Sequence, residues 1–191
     1  MRIKKLLSTF VVFAIFLTIT SISAVASSYK VGDVNYDNSI NVQDVTEIQK
    51  YLANMRSINA AIADFNSDGK VNIVDCTVMQ KCISGEISIY NGYLYSTLSG
   101  KGTIVGYNGS ATSLKIPSKI QNCKITSIGD SAFSNNKKIT SVTMTDSIVS
   151  VGYYAFLNCT SLTKVIIKNA QCHIDSSSFE GCTALTYFVQ G

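Results

Sequence analysis

The sequence has no tryptophan, one proline and one histidine, His173. A single histidine excludes the multi-histidine metal centres. The missing tryptophan removes the strongest side chain for stacking on sugar faces, and one proline cannot make a proline-rich linker. Charge is also sparse, at 15% of residues, and the net value of +4 comes largely from Arg2, Lys4 and Lys5. Without those three, 13 basic residues face 12 acidic ones. That balance gives no footprint for nucleic acid or an anionic membrane. The apolar share of 46% over 191 residues suffices for a packed core in one or two domains.

Residues 1–26 read as a secretory signal peptide. A basic start leads into Phe10-Val11-Val12-Phe13-Ala14-Ile15-Phe16-Leu17 and then Ala24-Val25-Ala26, a small-x-small cleavage pattern. The mature chain is therefore expected to be secreted, with no membrane span. The six cysteines are Cys76, Cys82, Cys123, Cys159, Cys172 and Cys182. Secretion permits disulfides. The spacing of Cys76 and Cys82 on one helix points them apart, however, and mostly free thiols are expected.

The strongest local pattern begins at Asp33. Side-chain oxygens recur at Asp33, Asn35, Asp37, Asn41 and Asp44, and again 31 residues later at Asp64, Asn66, Asp68, Asn72 and Asp75. These are positions 1, 3, 5, 9 and 12 of a calcium loop, with Ser39 and Lys70 at position 7 offering a main-chain carbonyl. An all-oxygen donor set suits a hard cation. Position 6 requires a sharp turn, met by Gly69 in the second loop and by Asn38 in the first. After each loop the apolar spacing turns helical: Val45, Ile48, Leu52 and Met55 in one copy, Cys76, Met79 and Ile83 in the other. Too little chain precedes either loop for an entering helix.

Gly32–Gly85 resembles a type I-like dockerin, the duplicated loop-and-helix module that plugs into a cohesin on a scaffoldin or cell surface. The resemblance implies two Ca²⁺ ions and a cohesin partner. It places the partner contacts at Val42, Gln43, Gln49 and Lys50 in the first copy, and at Ile73, Val74, Gln80 and Lys81 in the second. Val78 makes the outer face of the second helix more apolar, so that helix is expected to supply the main anchor through Val74 and Val78.

Farther on, Tyr90-Asn91-Gly92-Tyr93 reads as one hairpin turn and Tyr107-Asn108-Gly109-Ser110 as another. A period of 23 then sets in: Ile128, Val151 and Ile174; Phe133, Phe156 and Phe179; Ile139, Leu162 and Leu185; Val142, Val165 and Phe188; Asn136, Cys159 and Cys182. Such a period means stacked rungs, each burying its neighbour's apolar face. The Ala-Phe step is read as a tight helical turn, and Ile120–Lys124 as a five-residue insertion in the first unit. Leu114–Val189 resembles bacterial leucine-rich repeats of the BspA-like type.

The expected fold is thus multidomain α + β. A signal peptide (1–26) precedes an all-α dockerin (27–86), a hairpin cap (87–113) and a short α/β leucine-rich-repeat solenoid (114–191). No catalytic constellation is evident. Cys172 and His173 are neighbours that a strand would turn to opposite faces, and the acids outside the loops form no matched pair. The tyrosines at 90, 93, 95, 107, 153, 154 and 187 could cover a cap, fill rungs, or form a surface for a glycan or protein. The reading is a non-catalytic, extracellular, cellulosome-type component whose dockerin binds a cohesin while the repeats present a recognition surface. The alternatives are a small polysaccharide-degrading enzyme or enzyme inhibitor using the repeat face, and a self-contained calcium sensor.

Overall fold

The computed structural model describes residues 30–191. The expected signal peptide lies outside the described residues, and no helix among them is long and apolar enough to cross a membrane.

The first part is helical. Helix α1 runs Val42–Leu52, α2 is a single turn at Ala60–Ala63, and α3 runs Ile73–Ile83. The turn α2, capped by the Asn59 side chain on Ala61 N, occupies the stretch from which sequence reading excluded a helix. Four residues are enough there because Ile62 and Ala63 are buried, and Ile62 O accepts from Gly32 N at 2.9 Å, tying the two loops together. Val45 and Ile48 of α1 meet Cys76 and Met79 of α3 in one core with Phe65. Leu52 and Met55, predicted to extend the α1 stripe, are exposed because the helix ends at Leu52. Gly32 sits at φ +98°, and a Cβ there would come 2.6 Å from the Phe65 ring.

The rest is β-structure. Strands β1 (Ser88–Tyr90), β2 (Tyr93–Leu98) and β3 (Lys101–Tyr107) form an antiparallel meander. Asn91 and Gly92, at φ 48° and 82°, make the predicted hairpin turn. The second turn is not at Asn108-Gly109 but at Ser99-Gly100, with φ 51° and 76°. Neither Asn108 nor Gly109 takes a left-handed backbone; Asn108 N instead donates to Gly92 O at 2.8 Å.

The repeats form a β-solenoid. Strands β4 (Ser113–Lys115), β7 (Ser141–Met144), β9 (Lys164–Ile167) and β11 (Tyr187–Gln190) stack in parallel as one sheet. Strands β6 (Cys123–Ile128), β8 (Ser150–Val151) and β10 (His173–Ile174) form a second ladder, which begins on β3. The cap and the repeats therefore share a sheet. The insertion at Ile120–Lys124 is a hairpin: β5 (Lys119–Ile120) turns at Gln121 and pairs antiparallel with β6.

The expected α/β character is corrected. Among the described residues no helix follows Ile83. The segments holding the Ala-Phe step are successive hydrogen-bonded turns, interrupted by left-handed residues at Ser131, Asn135, Tyr154 and Asn158. A helix cannot run through such residues. Their N–H groups bond instead to the adjacent rung, as in Phe133 N to Ala155 O at 2.7 Å and Phe156 N to Ser178 O at 2.7 Å.

The 23-residue register holds from Ile128 onward, whereas the longer first unit pairs Leu114 with Val142 at an offset of 28. Val142 pairs with Val165, and Val165 with Phe188; Ile128 pairs with Val151, and Val151 with Ile174. Phe133, Phe156 and Phe179 stack with nearly parallel rings at centroid distances of 4.7 and 5.1 Å. Phe188 meets Phe179 edge-on at 5.5 Å. The Cys159 and Cys182 thiols donate to Phe133 O and Phe156 O at 3.0 and 3.1 Å, while Asn136 Oδ1 caps Lys138 N and Ile139 N. All six cysteines are free.

Phe156 has an aromatic neighbour on each side and is fully buried. Phe156→Ala is expected to lower stability by about 3–5 kcal/mol. Phe179→Ala, at the less buried end of the stack, should cost less. Equilibrium denaturation of the two variants checks the order.

Candidate functional site: paired oxygen-rich loops

Each loop leads directly into its helix. Asn41 is the N-cap of α1 and Asn72 that of α3, and Asp44 and Asp75 stand at the third helical position to complete reciprocal capping boxes. Asn41 Oδ1 accepts from Gln43 N and Asn72 Oδ1 from Val74 N, both at 2.7 Å. Loop positions 9 and 12 are therefore also the two capping positions of the helix.

Asp44 reaches back across the loop as well. Its Oδ1 accepts from Val34 N at 2.7 Å and Asn35 N at 3.1 Å, and its Oδ2 from Asn41 N at 2.9 Å. Asp75 repeats this on Phe65 N, Asn66 N and Asn72 N at 2.8, 3.3 and 2.8 Å. Both carboxylates are fully buried.

Positions 1, 3 and 5 converge. Asp33 Oδ1 and Asn35 Oδ1 both accept from Asp37 N at 3.0 Å, and Asp37 Oδ1 accepts from Ser39 N at 2.8 Å. In the second loop Asp64 Oδ1 and Asn66 Oδ1 share Asp68 N at 3.0 and 3.2 Å, and Asp68 Oδ1 accepts from Lys70 N at 2.9 Å. Position 6 is left-handed in both, with Asn38 at φ 69° and Gly69 at φ 86°. Asn38 N and Gly69 N each donate 2.9 Å bonds to the position-1 carboxylate. Asparagine thus does the work of glycine in the first loop.

The electrostatics of these loops are one-sided. Among the described residues the basic partners lie elsewhere: Lys50 and Arg56 pair with Glu47, and Lys81 with Glu86. Burial pushes the Asp64 and Asp75 carboxyls up from their ordinary range, and the loop's other carboxylates push the same way. Asp37, at the exposed rim, is held below it, first by the Asn35 side chain and then by Ser39 N–H. Buried carboxylates without a cation are costly. Beyond their N–H bonds, Oδ2 of Asp44 and Asp75 and both oxygens of Asp33 and Asp64 each keep a lone pair, so the residues fit a hard oxygen-seeking ion. Among the described residues no group of three or more His, Cys, Asp or Glu is drawn together as a metal site, so any ion held here also needs the Asn side chains and main-chain carbonyls.

The residues assigned to partner contact are placed unevenly. Val42 and Ile73, 64% and 61% exposed, open the two helices. Gln43, Gln49, Lys50, Val74, Gln80 and Lys81 are exposed as well. Val78 is not a free anchor: it is partly buried against the module's core, which includes Leu94 of the β-meander and has Val105 packed on it as well. Its neighbours in the third dimension, not its place on the helix, decide this. Upstream tyrosines Tyr93, Tyr95 and Tyr107 are core residues, whereas Tyr153 and Tyr187 are exposed. His173 is exposed and Cys172 buried, which separates that pair.

Asp44→Ala should loosen the first loop and α1 together, since three backbone N–H groups lose their acceptor. A loss of at least about 2 kcal/mol is expected from the cap and unsatisfied donors, read by thermal unfolding. Glu47→Ala, which removes a mostly buried carboxylate paired with the exposed ends of Lys50 and Arg56, should cost less because it leaves no backbone donor unsatisfied.

Comparison with known proteins locates two families along the chain. Residues 31–84 match the dockerin type I domain, and residues 105–190 match the BspA type leucine rich repeat region in six copies. None of the curated proteins matches. Among solved structures, a leucine rich cell surface protein from Faecalibacterium prausnitzii is 31% identical with a TM-score of 0.48, over 53% of this chain and 29% of that one. A leucine rich repeat protein of T. pallidum is 21% identical with a TM-score of 0.49, over 53% and 49%. One from Bacteroides capillosus is 24% identical with a TM-score of 0.45, over 56% and 99%. This chain thus spans less than half the length of the first two. The chain carries a dockerin type I domain followed by BspA-type leucine-rich repeats, in that order.

Proposed function

We propose that the protein is a secreted, non-catalytic component of a cellulosome-type assembly. Its dockerin binds two Ca²⁺ ions and docks on a cohesin of a scaffoldin or surface protein. Its repeats present a recognition surface for another protein or a glycan. The observation that carries this reading is the pair of matched loops, in which buried carboxylates lack a cationic side chain. Asp33, Asn35, Asp37, Asn41 and Asp44, with the Ser39 carbonyl, would hold one ion. Asp64, Asn66, Asp68, Asn72 and Asp75, with the Lys70 carbonyl, would hold the other. When bound, each ion supplies the positive charge that the loop lacks. The proposal of a non-catalytic role is supported by two repeat carboxylates being committed to the backbone: Asp130 Oδ1 accepts from Tyr153 N of the next rung, and Asp175 Oδ1 from Ser177 N.

Calcium is expected to raise the melting temperature of the whole chain, and excess chelator to reverse this. Calorimetry should detect two ions per chain. Retention on immobilised cohesin should require calcium; retention unchanged by chelator would reject the reading.

Acid should also weaken the second loop. Burial raises the Asp64 and Asp75 carboxyls, so protons compete with the cation above the ordinary carboxylate range. Without metal the sign reverses: these groups favour the folded state when protonated, and that contribution is lost as pH rises through their folded values. Calcium titrations at neutral pH and at about pH 5 should show weaker uptake in acid.

A further inference from the structure

The two loop–helix copies are near-equivalent by sequence, so each could present the same kind of face. Their surroundings differ. At position 4 of the first loop Tyr36 is 48% exposed, whereas its counterpart Ser67 is buried. Asp37 is exposed and its counterpart Asp68 only half so. The cover comes from the chain's own β-structure. Leu94 of β2 is fully buried in the module's core, with Val105 of β3 packed on it. A cleft of about 270 Å³ separates Asn66, Asp68, Val74 and Val78 on one wall from Val105, Gly106 and the Asp130–Ser134 turn on the other. Such a cleft admits a few waters or a side chain. A partner domain needs about 800 Å² of surface on each side.

We infer that the loop end of the second copy, with Val78, is an internal interface with the meander and first rung, which keeps a domain-sized partner from its solvent-exposed Ile73, Val74, Gln80 and Lys81 and leaves the first copy as the one a cohesin reaches. This rests on the cohesin reading above. The junction also makes the dockerin and repeats one body: β3 touches the module's core through Val105 and extends the repeat sheet through β6. A cohesin bound at Val42, Gln43, Gln49 and Lys50 would therefore hold the repeats in one fixed orientation.

The test has two arms, both on the full chain. Val42→Asp and Ile73→Asp change equivalent exposed residues at the first helical position, where an acidic residue suits the helix, so both variants should fold. With a recombinant type I cohesin in calcium, Val42→Asp should weaken binding at least tenfold and Ile73→Asp less than twofold. Equal losses, or a larger loss from Ile73→Asp, would overturn the inference. The second arm needs no partner. Hydrogen exchange of Val105→Asp, and of the milder Val105→Ala, should speed up in 64–83 and not in 33–52. Exchange in 64–83 unchanged in both variants, or quickened equally in both copies by Val105→Ala, would overturn it. A wild-type chain that binds no cohesin would sink the cohesin reading, and with it the open face, while the exchange arm still decides the internal interface.

Discussion

Everything in the helical module depends on two buried carboxylates. Asp44 and Asp75 each gather N–H groups from the start of a loop and from the cap of the helix that follows. Each therefore closes a loop on its helix with a single side chain. The same residue satisfies the N-cap N–H at the helix start and two N–H groups at the start of the loop. The arrangement is demanding, because a fully buried anion must be matched by donors or by an ion. The N–H bonds supply part of that match, and the loop leaves the remainder to whatever it binds.

The repeats solve a different problem by different means. Charge is nearly absent from their interior, and the unit of cohesion is contact between like residues one rung apart. Phenylalanine lies on phenylalanine, valine pairs with valine, and the thiols and Asn136 satisfy backbone groups inside the turns. Left-handed residues let each turn bend back and donate to the next rung rather than to itself. The module and the solenoid then meet through Leu94, a repeat-side residue that completes the module's core.

Much of this was legible in the residues because the determining interactions are short-range or periodic. The loops declare themselves through oxygens at fixed spacings, and the stack through a constant period. The capping boxes were legible in principle too, since Asn41 with Asp44 and Asn72 with Asp75 carry the spacing of such a box; the calcium pattern masks them by using the same residues. Three features were not legible. The turn at Ser99-Gly100 competed with Asn108-Gly109, and pairing to β6, distant in sequence, selected it. The Ala-Phe steps look helical locally, but cross-rung bonding takes their N–H groups. The burial of Val78 depends on Leu94 and Val105, and no pattern along α3 reveals it.

The constancy of the rungs has a consequence for how such a chain can change. Each unit presents to the next the surface it receives from the one before, in the same register from β7 to β9 and from β9 to β11. Gaining or losing one whole unit would rejoin matching surfaces and leave the helical module untouched. The reach of this molecule can therefore be lengthened or shortened in discrete steps without reworking either of its ends.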